Sequence, residues 1–190
     1  LNLDISSVHI NFLTNYEVDQ LDKNKFIKRT GIQFHWQNNN YNNFNDYLEK
    51  LSSRKRKIIK KERECLKKNN LKIEILKGKD IKETHWDVFY EFYKKTTSQK
   101  WGSTYLTKDF FYMIGQNLSS KILLVLAVQN GHYIAGALNF TSNTHIYGRL
   151  WGSISYVPFL HFELCYYQAI DYAIKNKFQT VEAGAQGAHK

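Results

Sequence analysis

A mixed α/β (α+β) domain is predicted, with a largely antiparallel sheet flanked by helices, and three observations predict it. Strand-length apolar runs at 71–76, 121–128, 133–140 and 145–151 are separated by turn-forming residues. Stretches of helical period lie before, between and after them. The 190 residues are 43% hydrophobic and carry 13 Tyr, 12 Phe and 4 Trp but only 1 Pro. Such a chain fills one ordinary core, or parts of two, and leaves no room for a low-complexity tract.

In order along the chain, residues 7–12 alternate as a short strand and 17–24 read as a polar helix. Residues 26–36 form a second extended run. The Asn-rich segment 37–45 breaks the pattern, which sets a domain boundary at residue 43. A long helix is predicted over 44–68, because Phe44, Tyr47, Leu48, Leu51, Ile58, Ile59 and Leu66 recur at threes and fours. A strand follows at 71–76, a helix at about 81–95 with Trp86, Phe89, Phe92 and Tyr93 inward, and a shorter helix opened by Thr107. Strands 121–128 and 133–140 meet at Asn130-Gly131, a pair that readily takes positive φ at both central positions of a hairpin turn. A third strand spans 145–151, a helix 161–175, and a final short strand 180–183.

Charge narrows the function classes. The formal net charge is +10, yet eleven Lys or Arg against Glu62 and Glu64 place +9 of it between Lys50 and Lys72. The basic character therefore belongs to one helix. Cations around nearly a whole helix repel one another, and a phosphate-rich partner relieves that repulsion. Arg54, Lys55, Arg56 and Lys57 are the candidate anion-binding group, the alternative being a solvated face. tRNA, the phosphates of coenzyme A, an acidic carrier protein and an anionic membrane surface all fit. No apolar run approaches the roughly 20 residues of a membrane helix. Cys65 and Cys165 lie far apart in helical patterns, which favours a reducing, cytoplasmic setting over a disulfide framework. The His and Cys residues show no metal-ligand spacing, so no metal is expected.

The end of the chain gathers polar side chains. Ligands of open α/β sheets sit at the carboxyl ends of strands, and His161, Glu163, Glu182, Gln186 and His189 are expected to gather there in a way that suits proton transfer.

The order from Leu71, β-α-α-β-β-β-α-β, matches the front of the GNAT-like N-acetyltransferase fold, in which a further helix and strand normally follow. Residues 1–43 then read as the β-α-β tail of a first such domain, and residues 44–190 as a second one opening on the basic helix. Several blocks together carry a family resemblance: Ser6-Ser-Val-His9, Arg29-Thr-Gly-Ile-Gln-Phe-His-Trp36, Leu51-Ser-Ser-Arg-Lys-Arg-Lys57, Lys100-Trp-Gly102, Gly148-Arg-Leu-Trp-Gly152, His161-Phe-Glu-Leu-Cys-Tyr-Tyr167 and Glu182-Ala-Gly-Ala-Gln-Gly187. They resemble a bacterial family of predicted N-acyltransferases similar to the Fem-type peptidoglycan aminoacyltransferases, which pair two acetyltransferase-like domains.

That resemblance implies transfer of an acyl or aminoacyl group from acyl-CoA or aminoacyl-tRNA to an amine acceptor, with no tightly bound cofactor. The rival reading is a non-catalytic module of the same fold that binds nucleic acid or another polyanion through the basic helix. One departure bears on the donor. The connection from Gly152 to His161 holds one glycine and Pro158, whereas acetyltransferases that use acetyl-CoA hold its pyrophosphate on a Gly-rich loop there. Fem-type enzymes do without that loop.

Acyl transfer to an amine needs an acceptor for the amine proton and donors for the developing oxyanion. Glu163 is the expected base, with His161 as alternative or orienting partner. Tyr167, beside Tyr166, is a phenol for the leaving group. Blander roles are a carboxylate favoured by the helix dipole, a capping His and core tyrosines. Arg149 is placed to grip a phosphate or carboxylate, or to make a surface ion pair. Trp151, and Trp101 in an expected inter-helix loop, are placed to wall a pocket. Glu182 and Gln186 are expected to bind substrate, although alternation alone can turn Glu182 to solvent.

Overall fold

The computed structural model describes residues 6–11, 13–21, 23 and 25–184, the side chains of Lys100 and Trp101 excepted. Two units divide at Ile32/Gln33. In the first, helix α1 (Asn15–Gln20) is fixed by a capping box: Thr14 N–H donates to Glu17 Oε2 at 2.8 Å, and Glu17 N–H donates to Thr14 Oγ1 at 3.3 Å. The Thr14 N–H, and after it the Thr14 hydroxyl, donate to the ionised carboxylate and hold Glu17 below its usual range. The expected strand at 7–12 does not form among the described residues, and the expected helix at 17–24 becomes α1. Of the extended run 26–36, only β1 (Phe34–Gln37) is a strand. Ile27 and Ile32 are exposed, and an extended segment without a ladder partner does not count as sheet.

The expected boundary at residue 43 therefore moves to Ile32/Gln33. The reason is pairing: β1 joins the sheet of the second unit, antiparallel to its last strand, with Trp36 opposite Val181.

The second unit continues through α2 (Phe44–Glu49), α3 (Ser53–Lys68), β2 (Leu71–Lys77), α4 (Glu83–Trp101), α5 (Lys108–Asn117), β3 (Ile122–Gln129), β4 (His132–Thr141), β5 (His145–Ser153), α6 (Leu160–Phe162), a π-helical turn (Glu163–Tyr167), α7 (Gln168–Lys175) and β6 (Thr180–Gly184). The sheet order is β1-β6-β5-β4-β3-β2, antiparallel throughout except for β5 with β6. The predicted mixed, largely antiparallel sheet with flanking helices is what forms.

Alternation along β3 divides the core. Ile122, Leu124 and Leu126 pack with Trp86, Phe89, Phe92, Tyr93 and Phe111 of α4 and α5. Leu123 packs on the opposite face with residues of α2, α3 and α7, and Val125 and Ala127 with Leu66, Leu160 and Leu164. Period-2 patterning buried on both faces requires a helical layer on each side. Asn130 (φ 51°) and Gly131 (φ 79°) both take the left-handed region, so the β3–β4 hairpin is the tight turn the sequence predicts.

Two helices differ from expectation. The predicted helix 44–68 breaks at 50–52, where Ser52 Oγ accepts from Lys55 N–H at 3.4 Å and starts α3 afresh. The predicted helix 161–175 carries a π turn near its start.

Candidate active site

The site is built where β5 leaves β6. Their parallel pairing covers only His145–Tyr147 against Thr180–Glu182. On the other side of β5, Asn139 pairs with Gly148 but Leu138 with Leu150, so Arg149 is an extra, bulged residue. A bulge re-aims a side chain and bends its strand. Arg149 is exposed and makes no ion pair among the described residues.

Beyond the bulge, Gly152 lies against the backbone of Phe92 and Tyr93 in α4. Ser153 N–H donates to Thr96 Oγ1 at 3.1 Å, and Lys95 Nζ donates to the Ile154 carbonyl at 2.6 Å. The chain then turns through Phe159, held at φ 66°, into α6. A left-handed aromatic residue is a strained position that its surroundings must enforce. Between this turn and the end of α4 lies a cleft of ≈ 680 Å³ lined by Lys95, Gln99, Trp151, Tyr156, Phe159 and His161, among others. The His161 ring meets Trp151 edge-on, with centroids 5.2 Å apart and planes at 83°, and Tyr166 at 5.5 Å and 85°. Burial, followed by the nearby Cys165, pushes the Tyr166 phenol up to about 12, so it keeps its proton at neutral pH.

Trp151 and His161 thus share the cleft wall. Glu163 and Tyr167 do not: both meet α3. Glu163 is 4% exposed. Its carboxylate accepts Arg63 Nε at 3.2 and 3.1 Å, Arg63 Nη2 at 3.0 Å and Gln168 Nε2 at 2.6 Å. The Arg63 guanidinium also stacks over Phe44, 4.5 Å from the ring centroid. Tyr167 donates its hydroxyl proton to Glu62 Oε2, and burial, then that bond, pushes its phenol far up.

Glu182 stands apart from these. It is half-buried, sits opposite Tyr147 on β5 and His35 on β1, and accepts Gln33 Nε2 at 2.9 Å. Arg54 to Lys57 form the first turn and a half of α3, with Arg54, Lys55 and Lys57 exposed. Trp101 ends α4 instead of lying in a loop, because Gly102 (φ 78°) is the left-handed cap that stops the helix. Its side chain, Gln186 and His189 lie outside the described residues. Among the described residues no group of three or more His, Cys, Asp or Glu is placed to hold a metal, and no helix is long and apolar enough to cross a membrane.

Sequence reasoning missed Glu62, Arg63 and Gln168 as partners of the π turn, and Lys95, Gln99 and Tyr156 as cleft lining. Basic-helix composition conceals Arg63 among the eight other cations of α3. No sequence signal marks the lining residues.

Comparison with solved structures supports the fold. An L-PGS structure from Bacillus licheniformis aligns with TM-score 0.56 and 9% identity over 82% of this chain and 46% of that one. A conserved protein of unknown function from Bacteroides thetaiotaomicron aligns at 0.53 and 11% identity over 83% and 51%. The C-terminal domain of a candidate lysylphosphatidylglycerol synthetase from Agrobacterium fabrum aligns at 0.51 and 8% over 82% and 46%. This chain spans about half the length of each. A search of curated proteins returns no match. The model of the FemAB-like family, described as peptidoglycan biosynthesis/recognition, matches residues 2–190, and the chain belongs to that family.

Proposed function

We propose that this chain contributes the acceptor-activating half of an N-acyltransferase, which moves an acyl or aminoacyl group from an activated ester or thioester to an amine. The observation that carries the reading is His161 on the wall of the Trp151 cleft, at the carboxyl end of a strand that has parted from its parallel neighbour. The amine nitrogen attacks the donor carbonyl carbon, a C–N bond forms, and the C–O or C–S bond breaks. A ring nitrogen of His161 takes the amine proton, and the Tyr166 phenol gives its own to the leaving oxygen or sulfur. The imidazolium then returns a proton to Tyr166. Glu163 and Tyr167, expected from the sequence as base and phenol, hold the scaffold in this reading.

For the donor, the backbone favours aminoacyl-tRNA over acyl-CoA. The N–H groups of Ile154, Ser155 and Leu160 are already taken by Ile134 O, Ser153 Oγ and Val157 O, and Pro158 has none, so these four positions offer no donor to a pyrophosphate. A tRNA donor also places the chemistry in the cytoplasm. His161→Gln is expected to lower amide formation on the full chain about 10²–10⁴-fold, read by mass spectrometry with charged tRNA or acyl-CoA supplied. An unchanged rate would remove His161 as the base.

The basic helix supports a second element of the proposal, a phosphate-binding face. Ile59 and Leu66 are buried and leave Ile58 as the exposed large apolar side chain of α3, too little for an apolar face that enters a bilayer, while Lys60 and Lys61 extend the exposed cations of its first turn. A triple Arg54→Glu, Lys55→Glu, Lys57→Glu variant is expected to weaken tRNA binding. It is also expected to flatten the plot of log affinity against log salt by about 2–3 units, roughly 0.7–0.9 for each phosphate no longer neutralised. An unaltered slope would place the nucleic acid elsewhere. Binding that survives in His161→Gln, with no transfer activity in any chain, would favour the non-catalytic module.

A further inference from the structure

Two consecutive residues of the basic helix grip the π turn at both ends. Arg63 donates three hydrogen bonds to Glu163, the first residue of the turn, and Glu62 accepts from Tyr167, its last. The turn itself is closed by Gln168 N–H on the Glu163 carbonyl, an i to i+5 bond. That extra residue decides which side chains are neighbours. On an α-helix, residues five apart point about 140° away from each other. Here His161 and Tyr166 are five apart and their rings touch, and Glu163 and Gln168 are five apart and hydrogen-bonded at 2.6 Å. π-Helix occurs mostly as single turns inside α-helices, frequently at functional sites. This one meets α3 through Glu163 and Tyr167, while its Tyr166 packs on the ring of His161 just before the turn, and that ring meets Trp151.

We propose that Glu62 and Arg63 are positioning residues that clamp the π turn and thereby hold His161 and Tyr166 against the cleft. The role given to His161 rests on the transferase reading, but the clamp does not. Glu163 completes it. An acidic and a basic residue side by side on α3 match a carboxylate and a phenol four residues apart on the partner helix. Arg63 is thus withdrawn from the anion-binding face, although it lies among the helix's other cations in sequence.

The test is the imidazole ¹H–¹⁵N spectrum of the full chain, with the His161 signal identified by its loss in His161→Gln. Arg63→Ala is expected to displace that signal and move its titration midpoint by about half a pH unit or more. His145, at the opposite end of β5 from Ser153 and the cleft, serves as a control and stays put. Arg63→Lys, which keeps the charge but not the two-pronged geometry, restores only part of the shift. Tyr167→Phe, which cuts the other end of the clamp, moves His161 in the same way by less. A folded Arg63→Ala chain with His161 unmoved overturns the proposal. If that variant does not fold, an unmoved His161 in Tyr167→Phe overturns it instead. This readout needs no donor, so absent transferase activity leaves the clamp standing, and an intact His161 signal in every variant refutes the clamp alone.

Discussion

Gly152→Ala is expected to lower the unfolding free energy by about 3 kcal/mol or more, the upper reach of what overpacking a filled interior costs. A Cβ at this position would stand 2.3 Å from the Phe92 carbonyl carbon, 2.4 Å from its oxygen and 2.7 Å from the Tyr93 nitrogen. All three are backbone atoms in the middle of α4, so no rotamer change relieves the overlap and the helix itself must move. α4 carries Phe89, Phe92 and Tyr93 into the core, and Lys95, Thr96 and Gln99 along the cleft. Movement there separates Ser153 N–H from Thr96 Oγ1 as well. For a domain of this size the loss corresponds to about 6–12 °C in Tm, read by thermal unfolding alongside a urea midpoint. Gly131→Ala is the companion variant. Its Cβ meets open space, and only the left-handed φ of 79° opposes it, at about 1–2 kcal/mol. A Gly152→Ala chain that melts within about 2 °C of the parent would mean that α4 is not seated on β5 as described.

Glu163→Ala carries the second large effect, about 3 kcal/mol of stability. Removing one partner of a buried ion pair typically costs about 3–5 kcal/mol, because the remaining charge is left desolvated and unpaired. The lower end applies here, since the Arg63 side chain is 25% exposed against 5% for Glu163 and can recruit water. Gln168 also loses the acceptor for its amide. Replacing both partners with apolar residues of similar volume, Arg63→Met with Glu163→Leu, is expected to recover most of the loss, because neither charge is then stranded. Urea unfolding of the two single variants and the double variant closes the cycle. A single Glu163→Ala loss below about 1 kcal/mol would show that the pair is no more than a surface contact. The result also separates two roles: a carboxylate that served only as a proton acceptor would cost rate when removed and leave stability alone.

Local patterning made much of the sheet legible. The alternation of Ile122 to Ala127 assigns successive side chains to opposite faces, and both faces are covered by helices as an unbroken apolar strand demands. Asn130-Gly131 is a turn because its two residues tolerate positive φ, a property of the dipeptide alone. The α5 helix and the meander of β3, β4 and β5 rest on the same short-range information. Residues Phe26 to Ile32 fall short of the strand their composition suggests, because extended propensity does not supply a ladder partner, and only Phe34–Gln37 found one.

The candidate site divides along the same line. Residue type and position at a strand end are enough to single out His161 and Trp151, which the fold brings to 5.2 Å. They also single out Glu163 and Tyr167 but not the direction either faces. That direction follows from one inserted residue in the helix and from Glu62 and Arg63, about a hundred positions away in sequence. By itself, the sequence determined the strands from Leu71 onward, the helical segments between them, the tight hairpin and the basic segment, because propensity, period and turn chemistry act over a few residues. Tertiary structure alone decided that β1 closes the sheet beside β6, that β5 and β6 part after three pairs, and that Arg63 is spent on Glu163. Each is a contact between distant segments, and no local preference encodes which partner a strand edge or a buried charge will find.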